Sequence, residues 1–302
     1  MRFHRMALMI SGFVLLTLVA GVARSPGADG QKDEAAAKSA AAAADDGAQA
    51  ADRKKRLRQQ AAERVAKVTV ALAEKSDRAG ELVANPLMSY TDEPLSIDAA
   101  TLWAWGFKKA GRPIAVCKVE HYDKTRRAVP AEWLYCFASL SGERIRGDWP
   151  DGHQWSASRA GVVFRDIPDA PAPGANGVAR LRQMKDIARR FTGSFEFGTA
   201  NLHEELRLLP QPVYSYADAE GGIVDGAIFV SAMNGTNPTA LFLVELQKDG
   251  DATKWKFAVG AMTDGGVIVK FDGKEVWSKL ALHAPGKDFE TWTYFFEQKS
   301  DE

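Results

Sequence analysis

The sequence predicts an α+β protein built from two divergent copies of one unit, a helix packed on a curved antiparallel sheet, closing into a single pseudo-symmetric core or standing as two abutting lobes. Three observations carry this expectation. Short aromatic and β-branched segments are bounded by turn residues, an amphipathic helical stretch precedes each set of them, and shared residues recur in a consistent register between the halves. With 302 residues and 46% apolar composition the chain can bury a sizeable core. Its 39 basic and 39 acidic side chains cancel, so no global field steers it toward nucleic acid, and none is expected as a partner.

The elements follow in chain order. Arg2 and Arg5 precede MALMISGFVLLTLVAGVA, which reads as a secretory signal over residues 1–23. The run is also about long enough for an uncleaved signal anchor. Either way the protein is expected outside the cytoplasm, periplasmic or secreted, and in the second case membrane-anchored. Residues 24–52 are Ala-rich with scattered acids and no large apolar anchor, and read as a disordered linker. From Arg53, Leu57, Ala61 and Val65 recur at helical spacing to about Ala66; Val68, Val70 and Leu72 then alternate as in a strand. The cluster Arg53, Lys54, Lys55, Arg56 and Arg58 is either a solvated helix face or a contact for a membrane surface or an envelope polymer.

In the first repeat, 53–165, ATLWAWGF, RPIAVCKVEHY and EWLYCFASL read as strands. The stretch 166–177 is a Pro- and Gly-rich linker. In the second repeat, 178–302, VARLRQMKDIARRF forms a helix with Leu181, Met184, Ile187, Ala188 and Phe191 on one side, and SFEF, ELRLL, PVYSYAD, GAIFVSAM, TALFLVELQ, KWKFAVGAMT, GVIVKFDG and KEVWS form strands.

The duplication rests on matched residues. RLRQ at 56–59 aligns with RLRQ at 180–183, and Glu81-Leu82 with Glu205-Leu206. Pro86, Ser89, Tyr90 and Asp92 align with Pro212, Ser215, Tyr216 and Asp218, Asp98 with Asp225, Pro113 and Glu120 with Pro238 and Glu245, and Trp133 with Trp255. Tyr90 and Tyr216 are expected to bury a ring and pair the hydroxyl. A hairpin centred on the loop near residue 126 would set Cys117 opposite Cys136, which makes a disulfide geometrically feasible; the equivalent pair, Phe242 and Ala258, points to a packing position.

The strings ARLRQMKDIARRFTG, ELRLLPQPVYSY and DGAIFVSAMNGTNPTALFLVEL, preceded by TLWAWG, GRPIAV and SLSGE, resemble a family of uncharacterised, predicted-secreted bacterial proteins carrying the ELRLLPQP and GTNP motifs. The resemblance covers roughly residues 85–278 and implies an extracytoplasmic protein. It carries no catalytic assignment, and YSY departs from the family where a basic residue is expected before the second tyrosine.

Trp103, Trp105 and Phe107 share one strand face, as a stacking groove or as core beneath a helix; their second-copy counterparts by alignment are Ile228, Val230 and Ala232. Glu120, Glu245, Asp98 and Asp225 would supply paired carboxylates if the copies met at a seam, and otherwise serve as turn and edge charges. His121 and His203 have no second histidine at ligand spacing, and Asp249-Gly250-Asp251 lacks the oxygens of a calcium loop, so neither metal nor cofactor is expected. No nucleophile elbow or phosphate loop is found. The reading is a non-catalytic extracytoplasmic or membrane-tethered binding or structural module. The alternative is a hydrolase acting on envelope or environmental polymer, with carboxylates at the seam between repeats.

Overall fold

The computed structural model describes residues 28–75, 77–108, 110–197, 202–233, 235–281 and 290–298. The signal read over residues 1–23 lies outside them. The chain divides into two compact units, Met1–Ala51 and Asp52–Glu302. Helix α1 (Ala28–Val65) occupies most of the stretch expected to be a disordered linker. Alanine loses no side-chain entropy in a helix and the interspersed Lys, Glu and Gln lose little, so composition that cannot build a core still builds a helix.

In the second unit the chain forms β1 (Thr69–Leu72), β2 (Glu81–Leu82), β3 (Met88–Asp92), β4 (Ile97–Gly106), β5 (Pro113–Tyr122), β6 (Trp133–Ser139), β7 (Ile145–Asp148), β8 (Gln154–Ser156) and β9 (Arg165–Asp166). Helix α2 (Gly177–Ala188) follows, then β10 (Phe191–Phe197), β11 (Leu202–Leu208), β12 (Tyr214–Asp218), β13 (Ile223–Ala232), β14 (Pro238–Asp249), β15 (Ala252–Ala261), β16 (Gly266–Phe271), β17 (Lys274–Lys279) and β18 (Trp292–Phe296). The architecture is α+β and mostly β, with curved antiparallel sheets in the orders β18-β6-β5-β4-β2, with β3 on β4; β17-β16-β10-β11-β13-β14-β15-β9, with β12 on β13; and β1-β7-β8. Bulges between Ile97 and Ala99 and between Ile223 and Asp225 bend the central strands.

Three apolar layers alternate with the sheets. The central layer takes side chains from both large sheets, among them Leu102, Val116, Cys136, Ile228, Leu241, Leu243 and Ala258. The two halves therefore share one core. Beyond the first sheet, Leu57, Ala61 and Val65 of α1 cover Trp103, Trp105, Cys117 and Phe137. Beyond the second, Met184, Ile187 and Ala188 of α2 cover Phe229, Phe242 and Val244. Because β5 and β14 are covered on both faces, they read as near-continuous apolar runs. Asn176 caps α2 by accepting from Ala179 N at 2.9 Å, and Gln183 straps the Pro-rich segment to the helix through Gly174 N and Ala172 O. Phe191, read as helical, instead opens β10.

The expected pairing of the cysteines is corrected. Cys117 lies opposite Phe137, and Cys136 opposite Lys118, one residue away from the expected register. A slip of one residue turns a side chain to the other face, so Cys117 sits in the layer under α1, Cys136 in the central layer, and both thiols are free.

Candidate functional site

A tyrosine and a glutamate meet in each large sheet. Tyr90 faces Ala100 on β4, and Ala100 faces Glu120 on β5, so the three lie in one row across three strands. The small Ala100 lets the phenol reach over it, and the Tyr90 hydroxyl donates to Glu120 Oε1 at 2.5 Å. In the second sheet the row is Tyr216, Gly226 and Glu245, and the hydroxyl donates to Glu245 Oε1 at 2.6 Å. Here glycine is required: a Cβ on Gly226 would fall 2.4 Å from the Tyr216 ring. Burial first, then the adjacent carboxylate, raises both phenols well above the usual tyrosine value.

The surroundings of the two carboxylates differ. Glu245 is completely buried, and Arg112 from the first half grips it through both oxygens, with Nε 2.7 Å from Oε1. Gln247 Nε2 donates to Oε2 at 2.5 Å. Burial pulls the Arg112 guanidinium down, but Glu245 outweighs it and the net shift is upward. Glu120 has instead the Lys118 ammonium 3.6 Å from Oε1 and, among the described residues, only the Tyr122 hydroxyl, at 3.5 Å, near Oε2. Lys118 donates to Asn237 Oδ1 at 3.0 Å and to Pro238 O at 3.2 Å, and Asn237 Nδ2 donates to Asp92 Oδ2 at 2.9 Å. Burial opposes the charge on Lys118, but Glu120 and its neighbours raise it overall, so the ammonium stays protonated.

Glu120 and Lys118 open onto a cavity of about 820 Å³ between the sheets, walled by Leu134, Met233, Met262, Trp292, Tyr294 and Phe296. Strand β18 pairs with β6 and turns alternate aromatic residues to this space. Asp92, Asp264, Arg127 and the Cys136 thiol also line it, the thiol held protonated chiefly by burial. Near the wall, Lys279 donates to Gly265 O at 3.0 Å and to Thr263 O and lies 5.4 Å from the Trp292 ring centre. Burial draws its amine down to about 8, against the opposing pull of Asp264. A second, polar cavity of about 610 Å³ includes Lys108, Arg112, Ser141, Asp218 and Glu220; Lys108 reaches Asp218 at 3.2 Å and also Glu220.

The four carboxylates singled out from sequence do not converge. Asp98 is ion-paired with Arg53 of α1 at 2.7 Å and sits 2.6 Å from His121 Nδ1, on the side covered by α1. Asp225 pairs with Arg180 of α2. Glu245 is sealed, and only Glu120 faces the larger cavity. Trp103 and Trp105 are 4% and 1% exposed under α1, which removes the stacking groove; Phe107 is half-buried beneath the Arg78 guanidinium. Of the basic cluster, Arg53 pairs with Asp98 and Arg56 with Asp52, while Lys54, Lys55 and Arg58 are exposed. His203 is a surface partner of Glu196 at 3.7 Å, and Gly250 at φ 62° turns the hairpin between β14 and β15. Among the described residues no group of His, Cys, Asp and Glu is arranged to hold a metal ion. Sequence reasoning passed over Lys118, Arg112, Asp92 and Asn237. The available signal was two charges two residues apart, Lys118 and Glu120, on one face of an otherwise apolar strand.

No protein-family model, no curated protein and no solved structure matches this chain.

Proposed function

We propose that the protein is an extracytoplasmic or membrane-tethered binding module without catalytic activity, and that it takes a small, apolar-bodied molecule into the larger cavity. The observation that carries this reading is the cavity itself: about 820 Å³, within the range of small-molecule sites, apolar over most of its wall, with a few buried polar groups gathered at one side. The four carboxylates that the sequence offered for acid and base hydrolysis do not converge, since Glu245 is enclosed and Asp98 and Asp225 are paired with helix arginines. The arginine-flanked apolar run at the N-terminus and the resemblance to predicted-secreted proteins support export.

The site belongs to a two-copy architecture, residues 53–165 and 178–302, for which recurring pairings are the support. Ser89↔Thr101 answers to Ser215↔Ala227, and Leu140 N→Ile114 O to Met262 N→Thr239 O. Positive φ recurs at Ser96 and Gly222, and at Ala110 and Gly235, so a side-chain-bearing residue accepts in the first half a backbone state that glycine takes in the second. The cavities correspond as well: Asp92, Asn237 and Thr263 of the larger answer to Asp218, Arg112 and Ser141 of the smaller.

Titration with the environment-sensitive dye Nile red tests the reading. Saturable binding is expected, lost when Met262→Trp fills the cavity and kept when Glu143→Gln alters the other one. Absence of saturation, or undiminished binding by a folded Met262→Trp variant, would overturn it.

A further inference from the structure

The wall of the larger cavity carries the chemistry of one ligand class, an inference that rests on that cavity being the binding site. Glu120 is 2% exposed and keeps one oxygen under-used. Its Oε1 accepts from Tyr90 and faces Lys118, whereas Oε2 has, among the described residues, only the Tyr122 hydroxyl at 3.5 Å, too long for a full-strength bond between oxygens. The corresponding Glu245 has both oxygens engaged at 2.7 Å or less, so incomplete pairing is particular to the cavity carboxylate. Lys118, the buried cation of the site, donates to Asn237 and Pro238 and is ion-paired with Glu120 at 3.6 Å, so its charge is already answered by the protein. Asp92 and Asp264 add two more carboxylates, which leaves three acids against Lys118 and the exposed Arg127. Tyr122, Trp292, Tyr294 and Phe296 supply ring faces.

A buried carboxylate acceptor among aromatic faces is suited to an organic ammonium, which gains a charge-assisted hydrogen bond and attraction to the rings. A ligand led by a carboxylate would meet three like charges. We propose that the occupant is a primary amine with an apolar body, its ammonium donating to Glu120 Oε2 and its chain lying against Met233, Met262 and β18. The Lys118 ammonium, 3.6 Å from Oε1, and the Tyr90 hydroxyl orient the carboxylate before the amine arrives.

The test uses the full chain and three probes of equal chain length, octylamine, octanol and octanoate, with calorimetric titration at neutral pH. Octylamine is expected to bind at least about tenfold more tightly than either of the others. Glu120→Gln is expected to bring the amine down to the affinity of the alcohol, and Glu143→Gln to leave the order unchanged. Octanol or octanoate binding as tightly as octylamine would overturn the amine assignment while leaving the cavity as a site. Failure of all three together with failure of Nile red would instead remove the binding reading itself. Should Glu120→Gln not fold, the order of the three probes on the unaltered protein decides.

Discussion

Glu120 lies on β5 and Glu245 on β14, and each accepts a tyrosine hydroxyl, but Glu245 is closed by an arginine and a glutamine while Glu120 borders a cavity beside a lysine. The difference begins at the residue before each strand-opening proline. Arg112 before Pro113 crosses to the other half and grips Glu245; Asn237 before Pro238 crosses the opposite way and receives Lys118. A guanidinium fork fills the space it enters and satisfies both carboxylate oxygens, whereas an amide holds an ammonium and leaves room beside it. One half of the molecule has used this position for stability and the other has kept it open.

The largest way to break the comparison is Arg112→Met. It strands a fully buried carboxylate, and a loss of about 3–5 kcal/mol in denaturant unfolding is expected. Glu120→Gln should cost less, about 1–3 kcal/mol, because Lys118 keeps Asn237 and Pro238 and water can reach it through the cavity; adding Lys118→Met should recover part of the loss. Tyr90→Phe and Tyr216→Phe each remove one hydrogen bond to a carboxylate. Losses of about 1.5–3 kcal/mol are expected in chemical unfolding, with Tyr216→Phe the milder because Arg112 still holds Glu245.

The smallest effect at neutral pH concerns Lys279. Its folded value of about 8 lies below the ordinary lysine value, so below pH 8 the amine is charged in both states and stability does not change with its titration. Between about 8 and the unfolded value the folded amine is neutral while the unfolded one is charged, unfolding takes up a proton, and stability rises with pH. Melting temperatures of the wild type and of Lys279→Met, compared across that window, should differ by this slope.

Much of the fold was legible in the sequence, because central strands such as Pro113–Tyr122 and Pro238–Asp249 are covered on both faces and each carries an unbroken apolar run, 113–117 and 240–244. The helix face Leu57, Ala61 and Val65 and the tyrosine anchors were equally readable. Register was not. The loop between β5 and β6 contains a turn stabilised by Asp123 with Thr125, and counting residues across it misplaces the hairpin by one, enough to set the two cysteines on opposite faces. Strand β18 escaped notice because its pairing with β6 joins residues far apart in the chain, and no local pattern records that. The site itself depends on crossings between halves, Arg112 to Glu245 and Lys118 to Asn237, which exist only once the two sheets face each other.

Paired double-mutant cycles on Arg112–Glu245 and Lys118–Glu120 test the central contrast most directly. The account predicts a coupling of about 3 kcal/mol or more for the sealed pair and no more than about half of that for the pair at the cavity. Equal couplings, or a stronger Lys118–Glu120 pair, would contradict it.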